Sequence, residues 1–366
     1  MYLETLERAY TQTVQKVTAI APEIGAAFPQ AVDTATGLYN REKPRYWTAG
    51  FWGGLLWLAY RENGEHRLFE LACEIEERLD APLNEFIRLH HDVGFMWLPT
   101  AVEHFLATGC PASRIRGLKA ASLLASRFNL AGRFIRAWET RENCEGWAII
   151  DCLMNLSLLY WASKAAGDPR FRQIACAHAD TVLEHFVRAD ATVPHIIGFD
   201  PETGKRVGVM PGQGKALDSV WARGQAWAIY GFALSYRETG RLPYQQAAAR
   251  IADRFFENLP EDKIPYWDFC ASGGEREARD ASAACIAASG MLELASGGLE
   301  RFAGYARRIL ESLDKNYACY DHTSQGIIRG STGNYTAGKW INTSLIYGDF
   351  FYLEALGKLL GKPGIF

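Results

Sequence analysis

The sequence lacks the features that mark several large protein classes. It carries no block of lysine and arginine, and its formal net charge is −3. It therefore offers no electrostatic footprint for nucleic acid or an anionic membrane surface. No uninterrupted apolar run is long enough to span a bilayer, and the start, MYLETLERAY, sets Glu4 and Glu7 where a signal peptide needs a basic start and an apolar core. A cytoplasmic protein is the expectation. The eight cysteines form no CxxC or CxxxC pair, which removes the common zinc and redox spacings and leaves free, mostly buried thiols. GxSxG, Walker and GxGxxG segments are also missing, so serine hydrolase, kinase and dinucleotide readings lose their anchors.

What the sequence has in quantity is aromatic and helical. Of its 366 residues 48% are hydrophobic and 13% are Phe, Trp or Tyr, enough for one large core or two ordinary ones. Tyr46, Trp47, Trp138, Tyr266, Trp267 and Tyr335 lie in Gly- and Pro-containing segments, where flat rings suit either sugar faces or surface gaps. Elsewhere stripes such as Leu68, Leu71, Ile75 and Leu79, or Phe302, Ala306, Ile309 and Leu313, repeat at helical spacing. The pattern predicts helices near 2–18, 50–63, 66–79, 91–107, 114–127, 146–165, 168–188, 218–238, 242–258, 278–294, 299–315 and 343–360, with few strands.

The connections alternate in length. Short joins (Asn63-Gly64, Gly109 to Pro111, Gly167 to Pro169, Gly240, Gly297-Gly298) alternate with long segments at 19–49, 80–90, 128–145, 189–217, 259–277 and 316–342. Helices running up and down in sequence then collect every long loop at one end. The helices after the long loops are the more apolar, as in GWAIIDCLMNLSLLYWA, and the others carry the charged faces. An inner ring inside an outer ring follows: an all-α (α/α)6 barrel, expected as a single domain over residues 1–366. A solenoid also alternates helices, but no shared repeat motif supports one.

Polar residues at the loop-side starts of the inner helices converge on the mouth of such a barrel. They are His90, His91 and Asp92, then Asp151, Asp218 and Arg223, Asp280, and Lys339 with Asn342. Asp151 is the only ionisable carboxylate or base between Trp147 and Ala162. It lies five residues into its apolar stretch, too deep for the usual cap, and such surroundings raise a carboxyl pKa toward general-acid use. Asp92 reads equally as a cap or as a second carboxylate beside Asp151. Asp218 and Asp280 read as helix caps. Arg223, between Trp221 and Trp227, suits a buried ion pair with Asp218 or a substrate carboxylate. His195 is open to a ligand role or plain packing, and Gln213 sits in a flexible PGQG loop. Adjacent residues point to different sides of a helix, so a metal on His90-His91-Asp92 is not expected.

At these residues the sequence resembles the unsaturated glucuronyl hydrolases, glycoside hydrolase family 88. The matching stretches are YWTAGFWGGLLWLAY, HHDVGFM, ENCEGWAIIDCLMNLSLLYWAS, DSVWARGQAWAIYGFA, DASAA and YGDFFYLEAL, running in order from about Tyr46 to Leu356, while residues 1–40 add nothing. The resemblance implies the same (α/α)6 barrel, no cofactor and no metal. It implies Asp151 as catalytic acid/base and Asp92 as its partner carboxylate. Trp47, Phe51, His91, Trp138, His195, Gln213, Arg223, Trp227 and Lys339 are the implied substrate-binding set. The implied substrate is a small oligosaccharide ending in a 4,5-unsaturated uronate, a product of lyase cleavage. Protonation of C4 and addition of water at C5 give a hemiketal whose opening releases the sugar. Ser331, Thr332, Thr336 and Lys339 hold a sulfate, or Thr336 and Lys339 only finish a loop. An unsaturated rhamnogalacturonyl hydrolase is the nearest alternative, and a sugar epimerase or a carbohydrate-binding protein are the others. A monomer or homodimer is expected.

Overall fold

The computed structural model describes residues 2–86, 88–139, 143–274 and 277–366. Along the chain, α1 (Tyr2–Ile24) is followed by α2 (Phe51–Asn63), α3 (His66–Arg78) and a short α4 (Asp80–Glu85). Next come α5 (Val93–Trp97), a π-helical turn (Leu98–Val102) and α6 (Glu103–Thr108), which make one continuous run, and then α7 (Pro111–Ser126). The remaining helices are α8 (Cys152–Ala166), α9 (Pro169–His185), α10 (Ala222–Thr239), α11 (Leu242–Glu257), α12 (Ala281–Ser296), α13 (Arg301–Asn316) and α14 (Ile346–Leu359). The π turn falls where Pro99 removes a backbone donor, so the regular ladder of the run cannot continue through it.

The helices close into an (α/α)6 barrel. The inner ring is α2, the α5–α6 run, α8, α10, α12 and α14; each packs on the next, and α14 closes back on α2. Burial explains the division. In α10 every residue from Ala222 to Ser235 is buried, whereas in α3 only one stripe is, with Leu68, Leu71, Ala72, Ile75 and Glu76. An inner helix is covered both by the axis and by the outer ring, so it is apolar on all sides; an outer helix needs only one such stripe. Each buried Leu or Ile contributes about 1.5–3 kcal/mol.

Three sequence expectations change. The long connections hold short antiparallel strands: β1 (Pro29–Val32) with β2 (Tyr39–Arg41), β3 (Phe128–Asn129) with β4 (Phe134–Ile135), and a sheet of β5 (Trp147–Ile149), β6 (Ile196–Phe199) and β7 (Arg206–Met210). The helix expected over 146–165 begins only at Cys152, because Trp147 to Ile149 pair with β6. An apolar strand of this length has no periodicity to distinguish it from the first turn of a buried helix. The helix expected from 218 likewise begins at Ala222, with Trp221 in the cap position, leaving Asp218 exposed and outside it.

Among the described residues, no helix is long and apolar enough to cross a membrane. All eight cysteines are free thiols.

Candidate active site

Strand pairing and helix starts build the site together. β5 runs into the start of α8, and its pairing with β6 sets Ile149 opposite Ile196 and binds the Ile150 N–H to the His195 carbonyl at 3.0 Å. Asp151 and His195 thereby emerge side by side, with His195 Nε2 3.3 Å from Asp151 Oδ2. The same ladder extends outward: Ala137 N–H donates to the Trp147 carbonyl at 2.9 Å, and His91 N–H donates to the Ala137 carbonyl at 3.3 Å. Asp92, Trp138 and Asp151 reach one cavity through this hydrogen-bonded sheet edge.

The cavity has a volume of about 260 Å³ and is lined mainly by Gln30, Tyr46, Trp47, His90, His91, Asp92, Trp138, Asp151, Gln213, Arg223, Asn334, Trp340 and Tyr347. Both carboxylates occupy helix cap positions, Asp92 before α5 and Asp151 before α8, and neither side chain caps its helix. For α8 the reason is local: the N–H groups of Leu153 and Met154 are taken by the carbonyls of Ile150 and Asp151 in tight backbone turns, which leaves the Asp151 carboxyl free to face the cavity. The position too deep for a cap is thus corrected. Asp151 is the cap residue of its helix, and its carboxyl meets polar cavity groups instead of the apolar helix around it.

Asp92 lies between two histidines, with Oδ2 3.1 Å from His90 Nδ1 and Oδ1 3.1 Å from His91 Nε2. Burial works against its charge, but the His91 charge and the hydrogen bonds from both rings outweigh it and hold the carboxyl well below the usual range. Burial likewise opposes charging His91, and Asp92 overcomes it, so the His91 pKa is raised. The other His91 nitrogen, Nδ1, lies 3.0 Å from the Ala137 carbonyl. With an oxygen acceptor at each nitrogen the ring is an imidazolium. The expectation that neighbouring side chains diverge is corrected: residues 88–92 precede the helix in irregular backbone, and the donor atoms of His90, His91 and Asp92 lie within 4.8 Å of one another. Such a cluster has metal-site spacing; with the His91 pKa raised by Asp92 and that of Asp92 lowered by His91, the group reads as a hydrogen-bonded ion pair.

His195 is held differently. Its Nδ1 accepts the Gln213 N–H at 2.8 Å, which fixes the neutral tautomer with the proton on Nε2, facing Asp151. Gly212 permits this approach, since a Cβ there would lie 2.3 Å from His195 Nδ1.

Arg223 is committed to the protein. Nη1 binds Asp280 at 2.5 Å and the Thr332 carbonyl at 2.6 Å, while Nη2 binds Gln213 Oε1 at 3.0 Å and the Gly333 carbonyl. Its ion-pair partner is Asp280 and not Asp218, because Asp280 caps the neighbouring inner helix α12, accepting from Ala283 N–H, and so faces α10. Arg223 thus fastens the wall segment that carries Asn334 and Trp340.

Among the other expected residues, Trp47 and Trp138 line the cavity. Phe51 and Trp227 do not: both are fully buried, Phe51 against Trp47, Phe95 and Phe351, and Trp227 against Phe95 and Phe351. They form a layer beneath the floor, since their inner-helix positions face the filled axis below the mouth. Phe366 enters this layer as well, against Phe51, Phe95, Phe350 and Phe351, and Arg237 in the last turn of α10 binds its carbonyl oxygen. Lys339 is exposed and off the cavity lining, in a turn pairing Asn334 with Lys339. Thr336 bonds Asn334 in that turn, and Thr332 bonds the Arg279 carbonyl. Trp267 and Tyr335 stack on each other at 4.2 Å, so those loop aromatics fill a surface gap. Sequence reasoning missed Gln30, Tyr347 and Trp340. Gln30, in β1, is 1% exposed and its Oε1 accepts from Thr48 at 2.5 Å, which turns its amide nitrogen toward the cavity.

Residues 24–343 match Glycosyl Hydrolase Family 88. The chain belongs to this family. A relative, the unsaturated glucuronyl hydrolase of Bacillus sp. (strain GL1), is 36% identical over 92% of this chain and 92% of its own. The solved unsaturated glucuronyl hydrolase from Bacillus sp. GL1, described as responsible for the degradation of glycosaminoglycan, superposes with a TM-score of 0.92 at 34% identity, over 98% of this chain and 97% of that one. A variant of the Streptococcus agalactiae enzyme in complex with dGlcA-GalNAc6S gives a TM-score of 0.84 at 29% identity, covering 98% and 92%.

Proposed function

We propose that this family 88 hydrolase releases the 4,5-unsaturated uronic acid from the non-reducing end of glycosaminoglycan-type oligosaccharides, of which dGlcA-GalNAc6S is representative. The observation that carries the reading is the unequal setting of two carboxylates in one cavity. Asp92 is held as an anion chiefly by His91, with His90 Nδ1 also 3.1 Å away, whereas Asp151 Oδ2 makes no hydrogen bond among the described residues and has one ring nitrogen, His195 Nε2, facing it at 3.3 Å.

On this reading Asp151 donates its proton to C4 of the enol ether, positive charge develops at C5, and water adds there. Asp151, now a carboxylate, accepts a proton from that water, assisted by His195. Asp92 accepts hydrogen bonds from ring hydroxyls and so orients the ring, a role its fixed charge suits. Trp47 and Trp138 stack on sugar faces, and Gln213 binds polar groups of the uronate. Arg223 holds the wall and adds positive potential beside the uronate carboxylate. The same reading takes residues 1–366 as one catalytic domain, cytoplasmic, as a monomer or homodimer.

The test follows loss of the ultraviolet absorbance of the C4=C5 double bond with unsaturated chondroitin, hyaluronan, heparin and rhamnogalacturonan disaccharides. Turnover of glycosaminoglycan fragments is expected. Turnover of the pectin fragment alone would replace the proposed substrate class, and binding without loss of absorbance would refute the hydrolase reading.

A further inference from the structure

Asp92 and Asp151 stand on different inner helices, so their relation depends on whatever joins α5 to α8. One side chain does so at the level of the carboxylates. Asn155 is fully buried. Its Oδ1 accepts the Phe95 N–H from α5 at 2.9 Å, and its Nδ2 donates to the Asp151 carbonyl at 3.2 Å. Gly94 opens the path between the helices, since a Cβ there would lie 2.6 Å from Asn155 Oδ1 and 2.7 Å from its Cα.

The identity of the Phe95 N–H gives this contact its meaning. Phe95 is the third residue of α5, and an aspartate in the cap position ordinarily accepts the N–H of the second or third residue. Here Asp92 is that cap residue and its carboxylate makes no such bond. The Phe95 N–H is shared between the Asp92 carbonyl at 3.0 Å and Asn155 Oδ1 at 2.9 Å, so Asn155 supplies the side-chain half of the cap in place of Asp92.

We infer that Asn155 is a positioning residue that caps α5 from the neighbouring helix, freeing the Asp92 carboxylate for the cavity while pinning the Asp151 backbone beside it. This rests on the proposed reaction. Without Asn155 the Phe95 N–H keeps only its tight-turn bond to the Asp92 carbonyl at 3.0 Å, and the Asp92 carboxylate, in the cap position, is placed to take over the share of Asn155 by turning away from His90 and His91. A merely structural asparagine would cost stability alone. A positioning one costs turnover through Asp92, with substrate affinity largely kept.

The experiment compares Asn155→Ala with Leu159→Ala, a buried core truncation farther along the same helix, matched for thermal midpoint. With an unsaturated disaccharide as probe, Asn155→Ala is expected to lose kcat at least tenfold with KM within threefold, and Leu159→Ala to keep kcat within threefold. Equal losses in the two variants, or a loss confined to KM, overturn the inference. A second readout needs no activity. Asn155→Ala is introduced into the native chain and into Asp92→Ala, and its effect on the thermal midpoint is compared. A larger drop in the Asp92→Ala background is expected, since there no carboxylate replaces the lost cap; equal drops overturn the inference. If Asn155→Ala does not fold, Asn155→Ser, whose hydroxyl is too short to span both groups, carries the same comparisons. A native chain inactive on every disaccharide refutes the proposed reaction, while the midpoint comparison still decides the capping.

Discussion

His195 Nε2 lies 3.3 Å from Asp151 Oδ2, and the backbone N–H of Gln213 occupies the opposite nitrogen of the ring at 2.8 Å. The histidine therefore presents a proton to the carboxylate and has no lone pair to offer it. In the proposed reaction this makes His195 a partner of ionised Asp151, useful after the proton has left for C4. Asp151→Asn is expected to lower kcat by roughly 10³-fold or more, within the usual range for a general acid–base group, and His195→Ala by about 10–100-fold, below that range because it only assists. Both are read from the rate of absorbance loss at saturating disaccharide; near-native turnover by Asp151→Asn would remove it from the mechanism.

Asp92 and His91 give the site a pH signature in stability. The Asp92 carboxyl is depressed, so its contribution is complete above the unfolded value near pH 4 and is lost as pH falls through the folded one. His91 is raised, so its contribution is complete below the unfolded value near 6.5 and is lost as pH rises through the folded one. The stability difference between the native chain and Asp92→Asn should form a plateau from about pH 4 to about pH 6.5 and shrink on both sides. Urea denaturation across that range measures it. A difference that grows steadily in either direction would contradict the His91–Asp92 pair. The same variant is expected to lose at least about 100-fold in kcat.

The Arg223–Asp280 pair is buried, with the two side chains 2% and 0% exposed. Removing one partner strands a charge, so Asp280→Ala should destabilise the protein by about 3–5 kcal/mol and raise KM as the wall around Asn334 loosens. Asp218→Ala, at an exposed carboxylate, should stay within about 0.5 kcal/mol of the native chain. Thermal denaturation of the two variants distinguishes these partners directly.

Gln30 and Trp340 line the cavity from segments remote in sequence. Gln30→Ala removes one amide contact, expected to cost about 1 kcal/mol or roughly fivefold in KM. Trp340→Ala removes a wall ring that meets Tyr46 edge-on at 6.3 Å and should raise KM about 3–10-fold. Both should leave kcat within about threefold. A fall in kcat alone would place these residues nearer to the reacting atoms than the cavity walls.

The barrel was legible because it is written in spacing. Short and long connections alternate, and the helices after long loops are apolar throughout, so the two rings and the loop face follow from sequence. Asp92, Asp151, Trp47, Trp138, His195, Gln213 and Arg223 do converge on that face. Depth was harder. Phe51 and Trp227 have the right chemistry for sugar stacking, but helical geometry turns them into the layer beneath the floor, and residue type alone does not report which turn of an inner helix reaches the cavity. β5 was invisible because three apolar residues ahead of an apolar helix continue its hydrophobicity without a break. Its sheet is what sets His195 beside Asp151, and Asp280 reaches Arg223 because α12 packs beside α10 in the inner ring. Gln30 and Trp340 lie in irregular segments that carry no period to read.

Phe366 packs into the aromatic layer beneath the site and closes the cavity toward the barrel axis. In the proposed reaction a chain end enters, and the remainder of the oligosaccharide lies between the uronate and the way out. Departure is then ordered like a queue in a dead-end street: the sugar that entered first leaves last. Free unsaturated uronate lingering at the closed end would be the product that competes with the next substrate.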